Sequence, residues 1–268
     1  MPSSEHLQPL ADWPLAARQK LIGVFTDIDD TLTTDGAITP DALQALHNLR
    51  AAGLAIVPIT GRPIGWSLPF ASAWPVDAIV AENGSAALQC VNGLVRKHYQ
   101  LDADTRAIHW KRMQAVASHI LQVLPEARQA TDSIGRETDI AIDHSEHHTL
   151  TTAQIQQVVE LMQAQGMQAT VSSIHINGWF GQHDKLSGAR WWVRSQWGRE
   201  LDQELDAWVY VGDSTNDQLM FEHFPHSMGV ANIARFLPEL KHPPRYITLK
   251  ERGAGFAEVA QAILQARG

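Results

Sequence analysis

Asp27 and Asp29 stand two residues apart, where the apolar run Leu21-Ile22-Gly23-Val24-Phe25 gives way to acidic and hydroxyl residues. If the chain stays extended through them, both carboxylates project to the same side. Like charges that close need a cation or a proton. A magnesium ion prefers oxygen ligands and keeps several waters, so it answers the repulsion and also neutralises a phosphoryl group brought to the site. A further carboxylate follows a second apolar run, where Ala207-Trp208-Val209-Tyr210-Val211 leads into Gly212-Asp213-Ser214-Thr215-Asn216-Asp217. Asp213 and Asp217 are one helical turn apart, and the residues between them suit a helix N-terminus, whose free amides receive anions. Thr60-Gly61-Arg62 ends a third apolar run, and Lys185 opens a helical stretch as a flexible point charge suited to phosphate. Taken singly, each signal has a plainer reading: aspartates cap turns, capped helices are ordinary, and lone lysines are usually solvated.

The elements that would carry these residues alternate. After Thr39-Pro40, Leu43, Leu46 and Leu49 recur at helical spacing, with Gly53 as the stop. Ala55-Ile56-Val57-Pro58-Ile59 and Ala78-Ile79-Val80 read as buried strands ending at Thr60 and at Glu82-Asn83-Gly84. Strand and helix in turn predict an α/β fold with a doubly wound, Rossmann-like parallel sheet, whose ligands bind at the C-terminal ends of strands beside a reversal of strand order. From about Ala87 the rhythm changes. A hairpin on Asn92-Gly93, helices over 105–124 and 152–165, and strands at 138–142 and 168–176 predict a smaller α+β insert. The rhythm then resumes with a helix over 185–197, the strand before Asp213, a helix after Ser214, a strand near Met228 and a last helix over 256–265. The expected division is a core of residues 1–86 and 180–268 around an insert of 87–179.

A net charge of -8 argues against nucleic acid and anionic membranes as partners, since both call for a basic face. The single cysteine, Cys90, excludes an internal disulfide and a multi-cysteine zinc site. Without an apolar run of membrane-spanning length or a signal-peptide pattern at Met1–Pro14, a cytoplasmic location is expected.

Order and content together are more specific than any one cluster. Asp27-Ile28-Asp29-Asp30-Thr31, Thr60-Gly61-Arg62, Lys185 and Gly212-Asp213-Ser214-Thr215-Asn216-Asp217 closely resemble the four successive motifs of the haloacid dehalogenase-like (HAD) phosphatase superfamily. The insert's position resembles the α/β cap of its Cof-like and sugar-phosphatase branch, as do Ala81-Glu82-Asn83-Gly84 before it and His183-Asp184-Lys185 after it. The resemblance implies a Mg2+-dependent phosphatase acting on a small phosphorylated metabolite, with a sugar phosphate the favoured class. Asp27 would be the nucleophile that forms an aspartyl phosphate, and Asp29 the acid and then base. Magnesium would be held by Asp27, the backbone carbonyl of Asp29 and Asp213, with Asp217 acting directly or one step removed. Thr60, Gly61, Lys185 and Asn216 would contact phosphate, and Arg62 phosphate or substrate. Asp30 departs from the branch's usual glycine and is expected in a turn. A phosphomutase of the same superfamily, or a non-catalytic phosphometabolite-binding protein, would share these motifs.

Three other signals have plain expectations. His144-Ser145-Glu146-His147-His148 reads as a solvated loop in preference to a metal site. Trp179-Phe180 is expected to pack at the hinge or the domain interface. Arg136 and Glu137 are candidates to face the leaving group, and Gly84, Gly178 and Gly181 flank the insert where a lid would bend.

Overall fold

The computed structural model describes residues 7–267. The strand β1 (Gly23–Thr26), inside the main sheet, is buried at all four positions, as expected of an apolar run with both sheet faces covered. Helix α1 (Pro40–Ala51) has proline in its first turn and leads to β2 (Ala55–Pro58), α2 (Ile64–Ala73) and β3 (Ile79–Ala81). A hairpin follows, β4 (Ala86–Val91) and β5 (Leu94–Tyr99), turning on Asn92 and Gly93 with φ of 53° and 77°. Next come α3 (Ala103–Val123), β6 (Ile140–Asp143), α4 (Thr152–Ala164), β7 (Gln168–Val171) and β8 (His175–Trp179). The chain closes with α5 (Lys185–Trp197), β9 (Trp208–Gly212), α6 (Gln218–His223), β10 (Ser227–Gly229), β11 (Tyr246–Ile247) and α7 (Arg252–Gln265).

The main sheet is parallel, in the order Gln8–Pro9, β11, β10, β9, β1, β2, and a parallel bridge from Ile59 to Val80 brings in β3. From β1 the chain steps outward through β2 and β3, then returns on the other side of β1 with β9. The reversal of strand order therefore lies between β1 and β9. Val24 faces a core shared with Leu46 and Leu49 of α1 and Val259 and Ile263 of α7. Phe25, its neighbour, faces the opposite core with Trp192 of α5 and Phe221 of α6. Helices thus cover both faces, the doubly wound arrangement.

The second sheet is antiparallel, in the order β7, β8, β6, Arg128–Gln129. One face carries Ile176 against Met113 and Ile120 of α3 and Val158 and Met162 of α4. The alternate residues His175 and Asn177 turn toward the main sheet, where the Asn177 amide donates to the Gly61 carbonyl at 3.3 Å. No helix among the described residues is long and apolar enough to cross a membrane.

Two expectations are corrected by the packing. The division at residue 87 cuts through the β4–β5 hairpin, which pairs with β3 and buries Ala86 and Leu88 in one main-sheet core and Ala87 in the other. The hairpin is therefore continuous with the larger unit, and the smaller unit's own elements begin with α3. The single strand read over 168–176 is two strands, because the Ser172 hydroxyl accepts from the Ile174 and His175 amides and turns the chain.

One backbone contact sets the position of α5. Gly84, at φ +107°, lies so close to that helix that a Cβ on it would fall 2.2 Å from the Asp184 carbonyl oxygen. Asp184 and Ser187 form a capping box there, leaving Lys185 as the first helical residue. Gly84→Ala combines a left-handed backbone with a backbone clash, so it is expected to cost roughly 3 kcal/mol or more, read by chemical denaturation.

Candidate active site

Register brings the sequence clusters together. Val211 pairs with Thr26 and Thr26 with Pro58, so Asp27, Thr60 and Asp213 emerge from adjacent strand ends. The first amide beyond β1, that of Asp27, donates to the Val211 carbonyl at 2.8 Å. From α5, Lys185 Nζ donates to Asp27 Oδ1 and to Asp217 Oδ1, at 2.6 Å each. Tyr210 donates its hydroxyl to the same Asp217 oxygen. The other oxygen, Oδ2, accepts from the Asp213 amide at 2.9 Å and the Ser214 amide at 3.2 Å, a capping box on the turn Thr215–Asp217. Asp213 accepts from the Asn232 amide at 3.1 Å, and Asn232 also donates to the Asp30 carbonyl at 3.0 Å.

This cluster is deeply buried and overly negative. Oxygen atoms of Asp27, Asp213 and Asp217 all lie within 4.8 Å of one another, with Lys185 as the ammonium that bridges two of them. Burial pushes the Asp27 carboxyl up to about 8, with Asp217 and Asp29 adding to the rise and Lys185 opposing it. Asp213 is driven well above the carboxylate range by burial and then by Asp27 and Asp217. Hard oxygen donors with surplus negative charge fit a divalent cation such as magnesium. Among the described residues Asp27 Oδ2 accepts no hydrogen bond, and Asp213 Oδ1 accepts only a long one, from the Thr31 hydroxyl at 3.5 Å. Both oxygens of Asp217 are already engaged, which suits it to holding Lys185 and the strand-end amides.

The residues expected at phosphate divide. Thr60 is buried, and its hydroxyl accepts from the Arg62 amide at 2.9 Å, leaving its own hydrogen to donate. Gly61 lies between the side chains of Asn83 and Asn177, each about 3.2–3.3 Å from where a Cβ would stand. Asn216, half-buried, accepts from the Ser214 hydroxyl at 2.9 Å. Arg62 turns toward acids: its three nitrogens bond Asp29, Asp132 and Glu146, and one N–H remains on each terminal nitrogen. Asp29 is raised by burial against the pull of the Arg62 charge. A cavity of about 400 Å³ is lined by Asp29 and Arg62 on the larger unit's side and by Glu146, His147 and Ile174 of the smaller.

Other expectations are revised by what each side chain touches. The segment from His144 to His148 is only partly solvated: His144 is buried with Nε2 3.0 Å from the Ser172 carbonyl, and Glu146 reaches inward to Arg62. Its histidines belong to no metal-ligating group among the described residues. Trp179 is buried and donates to the His183 carbonyl at 2.9 Å, packing where the smaller unit rejoins the larger. Arg136 does not line the cavity; it is buried against Asp139 at 2.8 Å and donates to the Gly61 carbonyl at 3.0 Å. Glu137 pairs with Lys97 and Tyr99, away from the site. Asp30 has φ 55°, as a turn residue would, and its side chain pairs with Arg235 and Arg252. Tyr210, Asn232 and Glu82 went unread as site residues. Tyr210 sits inside an apolar strand pattern, and Asn232 is hidden in a short irregular turn. Glu82 accepts from the Ile64 amide at α2's start and from the Glu137 amide, a contact that sequence spacing does not reveal.

A doubly wound sheet with a carboxylate cluster at its strand reversal and a smaller unit packed over it is a capped α/β architecture. Residues 24–115 match the family model of the haloacid dehalogenase-like hydrolases. Among solved structures, it is similar to protein 0175 of Thermoplasma acidophilum, with a TM-score of 0.68 and 16% identity over 91% of this chain and 98% of that one. It is also similar to the sucrose-phosphatase of Synechocystis sp. PCC6803, solved with sucrose and phosphate, with a TM-score of 0.63 and 16% identity over 91% and 98%. The C-terminal domain of Candida albicans trehalose-6-phosphate phosphatase gives a TM-score of 0.68 and 11% identity over 97% and 99%. At these identities the likeness is one of fold. No curated protein matches the chain.

The buried carboxyls set a pH dependence. Burial raises Asp27 to about 8 and Asp139 to about 7, both from an ordinary value of 3.8. A carboxyl that holds its proton more tightly when folded stabilises the fold fully below 3.8, and this stabilisation drains away as pH rises through 7 and 8. Metal-free protein is therefore expected to melt at least about 3 °C lower near pH 8.5 than near pH 5.5, measured by calorimetry in chelator.

Proposed function

We propose that the chain is a magnesium-dependent phosphatase that hydrolyses a small phosphomonoester, a sugar phosphate being the favoured class. The observation that carries this reading is the convergence of Asp27, Lys185, Asp213 and Asp217 at one buried strand reversal, with Asp29 beside them. Asp27 attacks phosphorus, forming an aspartyl phosphate as the ester oxygen leaves. Asp29 gives that oxygen a proton, and later takes one from the water that attacks the aspartyl phosphate and frees inorganic phosphate. Thr60 donates its hydroxyl hydrogen to a phosphate oxygen, Gly61 allows the backbone to approach, and Asn216 assists from the turn after Asp213. Lys185 offsets the negative charge of the phosphoryl group while Asp217 and Tyr210 hold it in place. Magnesium, when bound by Asp27, Asp213 and the Asp29 carbonyl, supplies charge neutralisation at the phosphoryl oxygens. The smaller unit acts as a cap that selects the leaving group. The similarity to sucrose-phosphatase and trehalose-6-phosphate phosphatase folds supports a phosphorylated sugar as substrate.

Phosphate release across a panel of sugar phosphates tests this directly. Wild-type protein is expected to release inorganic phosphate with magnesium and to stop in chelator, and Asp27→Asn to lose about 1000-fold or more. Isomerised sugar phosphate without net release would point to a mutase, and binding without turnover to a sensor. The metal has a separate readout. Magnesium at about 100 times its Kd should add roughly 2.7 kcal/mol of stability to wild-type protein, and Asp213→Asn should lose most of that gain.

A further inference from the structure

Arg62 grips three carboxylates from three places in the chain. Its Nε donates to both oxygens of Asp29, at 2.9 and 3.1 Å, while one terminal nitrogen donates to Asp132 at 3.1 Å and the other to Glu146 at 2.7 Å. Asp29 follows β1 in the larger unit. Asp132 and Glu146 come from two separate loops of the smaller one, before and after β6. The guanidinium lies over the Trp66 ring, 5.1 Å from its centroid, so its plane is fixed from the side as well.

Each carboxylate supplied by the cap is itself braced. Asp132 also accepts from Arg136 at 3.1 Å, and Arg136 is tied to Asp139 at 2.8 Å and to the Gly61 carbonyl at 3.0 Å. Glu146 Oε2 is held by His175 Nε2 at 2.8 Å, and its backbone amide by Asp143 at 2.9 Å. The loop carrying Asp132 rests directly on the start of α2, where a Cβ on Gly65 would fall 2.7 Å from the Gly135 Cα. Arg62 thus meets two acceptors that cannot easily follow it if it moves.

An arginine facing one carboxylate prefers the two-pronged fork that pairs two nitrogens with two oxygens. Here both terminal nitrogens are drawn off to the cap, and Asp29 is left with Nε alone. We propose that Asp132 and Glu146 are positioning residues: with the cap shut, they hold Arg62 so that its single remaining nitrogen fixes the direction of the Asp29 carboxyl toward the ester oxygen. With the cap apart, or without those two charges, Arg62 is free to fork Asp29 and pull it off that line. Closure of the cap and aim of the acid become one event. The proposal rests on the phosphatase reading, because proton delivery by Asp29 is the step it serves.

Leaving groups of different basicity separate this from general damage. A sugar alkoxide needs a proton as it departs, whereas p-nitrophenolate leaves readily without one. The paired substitution Asp132→Asn and Glu146→Gln keeps shape and removes both charges. Its kcat on a hexose phosphate that the wild type turns over is expected to fall about 100-fold, with a smaller change in KM. On p-nitrophenyl phosphate it should fall no more than about 3-fold, which also reports that the protein is folded. Arg62→Lys, a point charge that cannot span three carboxylates, should reproduce the same selective loss. Equal losses on both esters, or no loss on either, would overturn the positioning role while leaving the phosphatase intact. A wild-type protein that releases phosphate from no ester would remove the phosphatase reading and this role with it.

Discussion

The bridge from Lys185 to Asp27 and Asp217 is the contact around which the rest is arranged. It places an ammonium between two buried carboxylates, with a third, Asp213, close by. Burying one charge is costly, and burying four is tolerable only where pairing and hydrogen bonds answer each of them. Tyr210, Asn232 and the amides of Asp213 and Ser214 supply those answers from β9 and the turns after it. The remaining negative charge is of the kind that hard oxygen donors offer a divalent cation. A neutral version of this crevice would be easier to fold and would have nothing to offer the reaction.

The parallel sheet makes that arrangement possible. Strand reversal between β1 and β9 opens a crevice at their ends, and register alone sets Asp27 beside Asp213. Lys185 must be brought in from a helix on the far side of the cap insertion. The approach of Gly84 to the Asp184 carbonyl does this without any side chain in between. Across the crevice, a second charge network runs from Asp29 through Arg62 into the loops of the smaller unit. The two networks differ in character: the first lies within the larger unit, whereas the second links the larger unit to loops of the smaller one.

Much of the first network was legible because its residues follow apolar runs. Asp27, Thr60 and Asp213 each end a strand whose burial leaves an uninterrupted hydrophobic pattern, and Lys185 starts a helix whose cap residues announce it. The fold class followed from the same alternation. Misreadings came where local pattern and partner diverged. The β4–β5 hairpin has the expected turn on Asn92-Gly93, yet its partner is β3, and only pairing reveals to which unit it belongs. The second network was invisible for a similar reason. Arg62 and Asp132 are 70 residues apart, and Arg62 and Glu146 are 84, in loops whose composition resembles any solvated turn. Tyr210 reads as one more aromatic in a buried strand until its hydroxyl is seen on Asp217.

The seating of α5 against Gly84 has a consequence for how such a protein can diversify. Lys185 is the first helical residue after the chain returns from the smaller unit, yet its position is fixed by the larger one. Everything between Tyr99 and Phe180 is thus spliced into a framework that brings Asp27, Lys185, Asp213 and Asp217 together by its own packing. Segments of other lengths could be inserted there over evolutionary time, changing what covers the crevice while the strand-end carboxylates keep their places. The junction is a socket, and what plugs into it is free to drift.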